Sequence, residues 1–88
     1  MSAGFEADLH PETNRPRIRM NFANGWSISI VLADEARRCR FHTASVAACP
    51  TGEWGKGKTE VHEIEAGADR VAALVQEVAS RPAAGSVQ

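Results

Sequence analysis

Two alternating runs on either side of an Asn-Gly pair constrain this chain more than any other feature. In Arg17-Ile18-Arg19-Met20-Asn21-Phe22 every second residue is apolar, and Trp26-Ser27-Ile28-Ser29-Ile30-Val31-Leu32 repeats the pattern with Trp26, Ile28, Ile30 and Leu32. A period of two places each apolar set on one face of a strand. Asn24-Gly25 between them is the strongest short hairpin signal, because both residues tolerate positive φ. Residues 17–32 are therefore predicted to form an antiparallel hairpin with one apolar face.

The rest of the chain is read around that hairpin. A polar loop, Ala33 to Arg38, leads to a third apolar stretch from about Phe41 to Cys49, which Pro50-Thr51-Gly52 ends as a turn. Trp54 is expected to fold back onto the sheet, and Thr59 to Ile64 forms a fourth strand. From Gly67 the period changes: Val71, Leu74, Val75 and Val78 fall at i, i+3, i+4 and i+7, one stripe of a helix. Asp69 in its first turn and Arg81 near its end suit the helix dipole, and Pro82 stops it. The stripe must bury itself against the apolar side of the sheet. The expected fold is α+β, an antiparallel sheet of three or four strands with one C-terminal helix packed on one face.

At 88 residues this is one domain. Residues 1–16, with Pro11, Thr13, Asn14 and Pro16, read as a flexible arm. Residues 17–81 form the single domain and 82–88 a flexible tail. No run approaches the roughly 18 apolar residues needed to span a bilayer, and the first residues lack a signal peptide's basic and apolar regions. A cytoplasmic protein is expected.

The net charge of −1 hides a direction. Glu6, Asp8 and Glu12 make the first 14 residues purely acidic. Residues 15–58 carry eight basic side chains against Asp34, Glu35 and Glu53, and residues 59–88 carry five acids against Arg70 and Arg81. Arg17 and Arg19 share the strand face opposite Ile18 and Met20, and Ser27 and Ser29 occupy the matching face of the next strand. That side is expected to be polar, solvated and partly basic, joined by Arg37, Arg38 and Arg40 from the loop. Such a face suits an acidic protein surface or nucleic acid. Free aromatics for base stacking are scarce, since Phe22 and Trp26 belong to the core and there is no tyrosine.

Three motifs resemble chemistry. Gly52-Glu53-Trp54-Gly55-Lys56-Gly57-Lys58-Thr59 matches the phosphate-loop pattern, with Lys58 and Thr59 in the nucleotide-binding positions. A phosphate loop must run into a helix whose N-terminus faces the phosphates. Here Glu60-Val61-His62-Glu63-Ile64-Glu65 follows and sets three acids there, so a Gly/Lys hairpin loop is the better reading. Cys39, His42, Cys49 and His62 contain metal-ligating types, but strand positions three apart point to opposite faces and the close pairs of zinc modules are missing. His62 with Glu60 or Glu63 forms an acid–base pair without a nucleophile beside it. No catalytic residue, metal or cofactor is assigned, and a non-enzymatic protein is expected.

The stretch Phe22-Ala23-Asn24-Gly25-Trp26-Ser27-Ile28-Ser29-Ile30, then Ser45 to Trp54 and the helix Val71 to Val78, resembles small proteins encoded by bacteriophages and prophages that carry an F-x-N-G-[WY]-x-[VI]-S-[VI] strand. The resemblance spans about residues 20–80 and its motifs are structural. It implies a compact protein that binds and blocks a host protein complex, in the manner of anti-CRISPR proteins acting on a CRISPR effector, as a monomer or homodimer. The expected partner-binding residues are Arg17, Arg19, Arg37, Arg38 and Arg40, with the acidic Glu60, Glu63 and Glu65 as a second patch. The competing expectation is a small nucleic-acid-binding regulator using the basic sheet face.

Overall fold

The computed structural model describes residues 4–32 and 43–83. Five strands, β1 (Gly4–Leu9), β2 (Pro16–Asn21), β3 (Trp26–Leu32), β4 (Ala44–Pro50) and β5 (Glu60–Ala66), precede one helix, α1 (Ala68–Ala79). They form a single antiparallel sheet in the order β1-β2-β3-β4-β5. The fold is α+β as expected, with five strands where three or four were counted from sequence. The extra strand is β1, inside the segment read as an arm. Its Phe5, Ala7 and Leu9 alternate, and the residues that looked like punctuation make the turn into β2. Asn14 adopts φ 59° there and its amide bonds to the His10 carbonyl at 2.7 Å. Pro16 takes the first position of β2, where a missing amide is tolerated.

The β2–β3 hairpin is present with a different turn. Gly25 donates to the Phe22 carbonyl (3.0 Å), and Phe22 to Trp26 (2.8 Å), enclosing the three-residue loop Ala23-Asn24-Gly25. Only Gly25 has positive φ, at 85°, as a type I turn followed by a left-handed residue requires. Asn24 is thereby released for another task. Its Oδ1 accepts from the Trp26 amide (3.0 Å), and its Nδ2 donates to the carbonyls of Val78, Arg81 and Ala79 at 3.0, 3.1 and 3.3 Å. The last carbonyls of a helix have no partner within it. The hairpin turn supplies one from 54 positions away in sequence.

Register puts Phe5, Met20, Ile28 and Ala48 in one row of the sheet and Ala7, Ile18, Ile30 and Val46 in the next, all facing the helix side. Helix α1 lies across β3, β4 and β5. Leu74 and Val78 are buried against Ile28, Val46, Ala48 and Ala66, while Val71, Val75, Met20, Phe22 and Trp26 pack around them. Burying a side chain the size of Leu74 contributes about 2 kcal/mol relative to leaving it in water. Arg81, just past the helix, stacks on Trp26 at 4.5 Å and bonds to Glu60 and Glu77, both at 2.9 Å.

Strand β5 is irregular. Its pairing with β4 shifts register between Ala44 and Val46 and again between Val46 and Ala47. One irregularity is bridged by the Ser45 hydroxyl, which donates to the Ile64 carbonyl at 2.9 Å. Val61 and Ile64, three positions apart and so of opposite parity in the sequence, are both exposed.

Candidate functional site

The face of the sheet away from the helix was expected to be open and solvated. The β4–β5 loop covers part of it. Gly52, Gly55 and Gly57 all have φ near +80°, and they bend the loop back so that Trp54 lies under the Arg19 guanidinium at 4.7 Å. Ser27, Ser29 and Cys49 on this face are buried. Burial of Ser27 requires hydrogen bonds, and its Oγ donates to Asn21 Oδ1 (2.6 Å) and meets Thr51 Oγ1 at 2.6 Å. Asn21 in turn donates to Glu6 at 2.8 Å, so one polar chain runs from β1 to the β4–β5 turn.

A cleft of about 340 Å³ remains on this face, lined by His10, Arg17, Arg19, Ser29, Trp54 and Thr59 among others. The two arginines expected to mark a binding face are together here, and they are not bare. The β1–β2 register sets Asp8 opposite Arg17 and Glu6 opposite Arg19. Arg17 grips Asp8 with two bonds, Nε to Oδ1 at 2.8 Å and Nη2 to Oδ2 at 2.6 Å. That hydrogen bonding, with the cation's charge, holds the Asp8 carboxyl below its ordinary value. Among the described residues the buried Arg19 Nε has no hydrogen-bond acceptor, its cation resting on the Trp54 ring.

The second expected patch is divided. Glu60 belongs to Arg81, and His62 stands 3.5 Å from it. Glu63 belongs to Arg70 at 3.0 Å, and Glu65 is exposed. These acids sit on β5, three strand spacings or about 14 Å from the arginines of β2. Arg37, Arg38 and Arg40 lie outside the described residues, as do Cys39 and His42. Cys49, opposite Ser27, and His62, on the side of Glu60, occupy opposite faces of the sheet. The phosphate-loop match leads into β5 and not into a helix, and Lys58 is paired with Glu53 at 3.4 Å.

The sequence reading missed the apolar half of the helix-side face. Five strands at about 4.8 Å spacing make a sheet some 24 Å wide, while a helix is about 10 Å across. Among the described residues one helix lies over β3–β5 and does not reach β1. Phe5 is 73% exposed, Leu9 54%, Ile18 45% and Leu32 41%. Beside them a groove of about 330 Å³ runs between Ile30 and Leu32 on the sheet and Ala68, Val71 and Ala72 on the helix. The signal was present in the alternation of Phe5, Ala7 and Leu9. Among the described residues, no helix is long and apolar enough to cross a membrane. Comparison with known proteins finds no matching family model, no similar curated protein and no similar solved structure.

Proposed function

We propose that this chain is a non-enzymatic, phage-type inhibitor that binds and blocks a host defence protein complex in the bacterial cytoplasm, a CRISPR effector being the partner to test first. The observation that carries the reading is the uncovered apolar half-face, with Phe5, Leu9, Ile18 and Leu32 at 41–73% exposure around an apolar groove. A contiguous exposed patch of this kind marks an interaction surface far more often than scattered apolar residues do. The pairing of Arg17 with Asp8 favours a protein partner over nucleic acid, because it cancels charge that counterion release would require. Arg17 and Arg19 lie on the opposite face of the sheet and are engaged by Asp8 and Trp54, so the apolar half-face and not the basic face is the proposed contact surface.

The test is affinity capture by the tagged chain from nuclease-treated lysate containing an active CRISPR effector, with the recovered subunits identified by mass. One effector subunit at stoichiometric yield is expected. Ile18→Glu should abolish its recovery while leaving the melting temperature within a few degrees. Material recovered only when nuclease is omitted would replace this reading with the nucleic-acid regulator.

A further inference from the structure

The outer edge of β1 lacks the lysine, proline and bulge that commonly keep sheet edges apart, and its two acids, Glu6 and Asp8, are engaged by Asn21 and Arg17. Gly4-Phe5-Glu6-Ala7-Asp8-Leu9 contains no proline and no lysine, its pairing with β2 has no bulge, and all six residues are exposed. Its backbone groups on the outer side form a template for another strand. We infer that the natural occupant of this edge is the same strand of a second copy, joined antiparallel about a two-fold axis at Ala7 to give a continuous ten-stranded sheet.

The sequence of β1 is what points to a second copy. In an antiparallel pair, residues opposite each other share a face. A two-fold axis at Ala7 therefore sets Phe5 against the partner's Leu9 and Leu9 against the partner's Phe5, all on the helix side. The two central alanines leave room for those larger side chains to lean inward. On the reverse face Glu6 comes opposite the partner's Asp8. Like charges in that arrangement repel, but Asp8 is already clasped by Arg17, and Glu6 accepts from Asn21. Moving the axis by one residue, to Glu6, would put two glutamates directly opposite each other and leave Leu9 unpaired.

Size sets the strength. Phe5 and Leu9 expose on the order of 250 Å² together, and with the strand backbone each copy covers about half of the roughly 800 Å² typical of a stable interface. The dimer is accordingly at the weak, small end of specific interfaces. The Phe5–Leu9 half-face of each copy becomes part of one apolar floor between two helices, so the dimer would offer a host partner two equivalent patches.

The experiment is sedimentation of the full chain from 5 to 500 μM, in 50 and 500 mM salt, with no partner present. The expected mass rises from 9.5 kDa to twice that value, and the association tightens with salt as the acid–acid contacts are screened. Register is read separately in a Cys39→Ser background. Ala7→Cys, on the axis, should give a covalent dimer under mild oxidation, and Leu9→Cys should give little. Circular dichroism of each variant checks that it folds. A single 9.5 kDa species at 500 μM in both salts would overturn the inference, as would association that weakens with salt. Equal cross-linking at both positions would place the contact elsewhere. None of these results depends on a host protein, so the capture experiment stands or falls independently.

Discussion

The contact between Asn24 and the end of α1 makes a quantitative test of the fold, because one side chain joins two elements far apart in sequence. Asn24→Ala removes the acceptor for the Trp26 amide and the amide donor shared among the Val78, Ala79 and Arg81 carbonyls. The amide has two hydrogens, so at most three full hydrogen bonds are lost. At about 0.5–1.5 kcal/mol each, and allowing water to replace the exposed ones, the loss is about 2 kcal/mol. A chain of this length holds on the order of 4–13 kcal/mol in all, so the melting temperature should fall by roughly 8–16 °C. Asn24→Asp discriminates further. It keeps the acceptor for Trp26 and suits the turn, yet it replaces the donor with a negative charge at the negative end of the helix. The added dipole penalty is up to about 1 kcal/mol, so Asp should be worse than Ala at neutral pH. It should recover part of the loss below about pH 4, where the carboxyl regains a proton it can donate. Urea unfolding followed by far-ultraviolet circular dichroism measures both variants. An Ala variant within 0.5 kcal/mol of the parent, or an Asp variant as stable as the parent at pH 7, would refute the capping argument.

Three further outcomes are expected. Leu74→Ala, at a site only 4% exposed in the middle of the core, should cost about 2–5 kcal/mol in urea unfolding; a loss under 1 kcal/mol would mean that the helix is poorly seated on the sheet. Gly52→Ala should cost about 1–2 kcal/mol despite meeting no atom within 4 Å, because φ is +84° there; a neutral result in the same assay would contradict the assigned turn. Asp8 has a folded-state pKa below its ordinary 3.8, chiefly through its hydrogen bond to Arg17, so its contribution is fully present above that value and is lost as pH falls through the lowered one. Melting curves of the parent and Asp8→Asn should therefore converge near pH 2 and separate by pH 5, and parallel curves over that range would show that the pair contributes nothing.

The hairpin and the helix were legible because each carries its own period: two for Ile18 to Leu32 and 3.6 for Val71 to Val78. Strand β1 was hidden by its turn. Pro11, Asn14 and Pro16 look like the punctuation of a loose arm until Asn14 is seen holding a left-handed position between two paired strands. The double role of Asn24 was not legible, since local rules assign Asn-Gly to the turn and say nothing of a helix more than fifty residues away. Ser27 and Ser29 were assigned to water by alternation alone. Ser27 is held by Asn21 and by Thr51 of the turn after β4, and strand periodicity carries no information about such partners. The candidate charges show the same division. Arg17 and Arg19 were correctly put on one face, but only the register of β1 reveals that Asp8 and Glu6 come with them.

The irregular pairing of β5 has a consequence for growth. A sheet has two ends, and if both accepted strands, copies could add one after another without limit. Here the ends differ: β1 is regular, whereas β5 is distorted by two register shifts. Joining like end to like end consumes the regular edge of both molecules and leaves only bulged edges outside. Such a sheet closes after two chains. The distortion in the fifth strand would then act as a stop signal, separating a closed pair from a fibre.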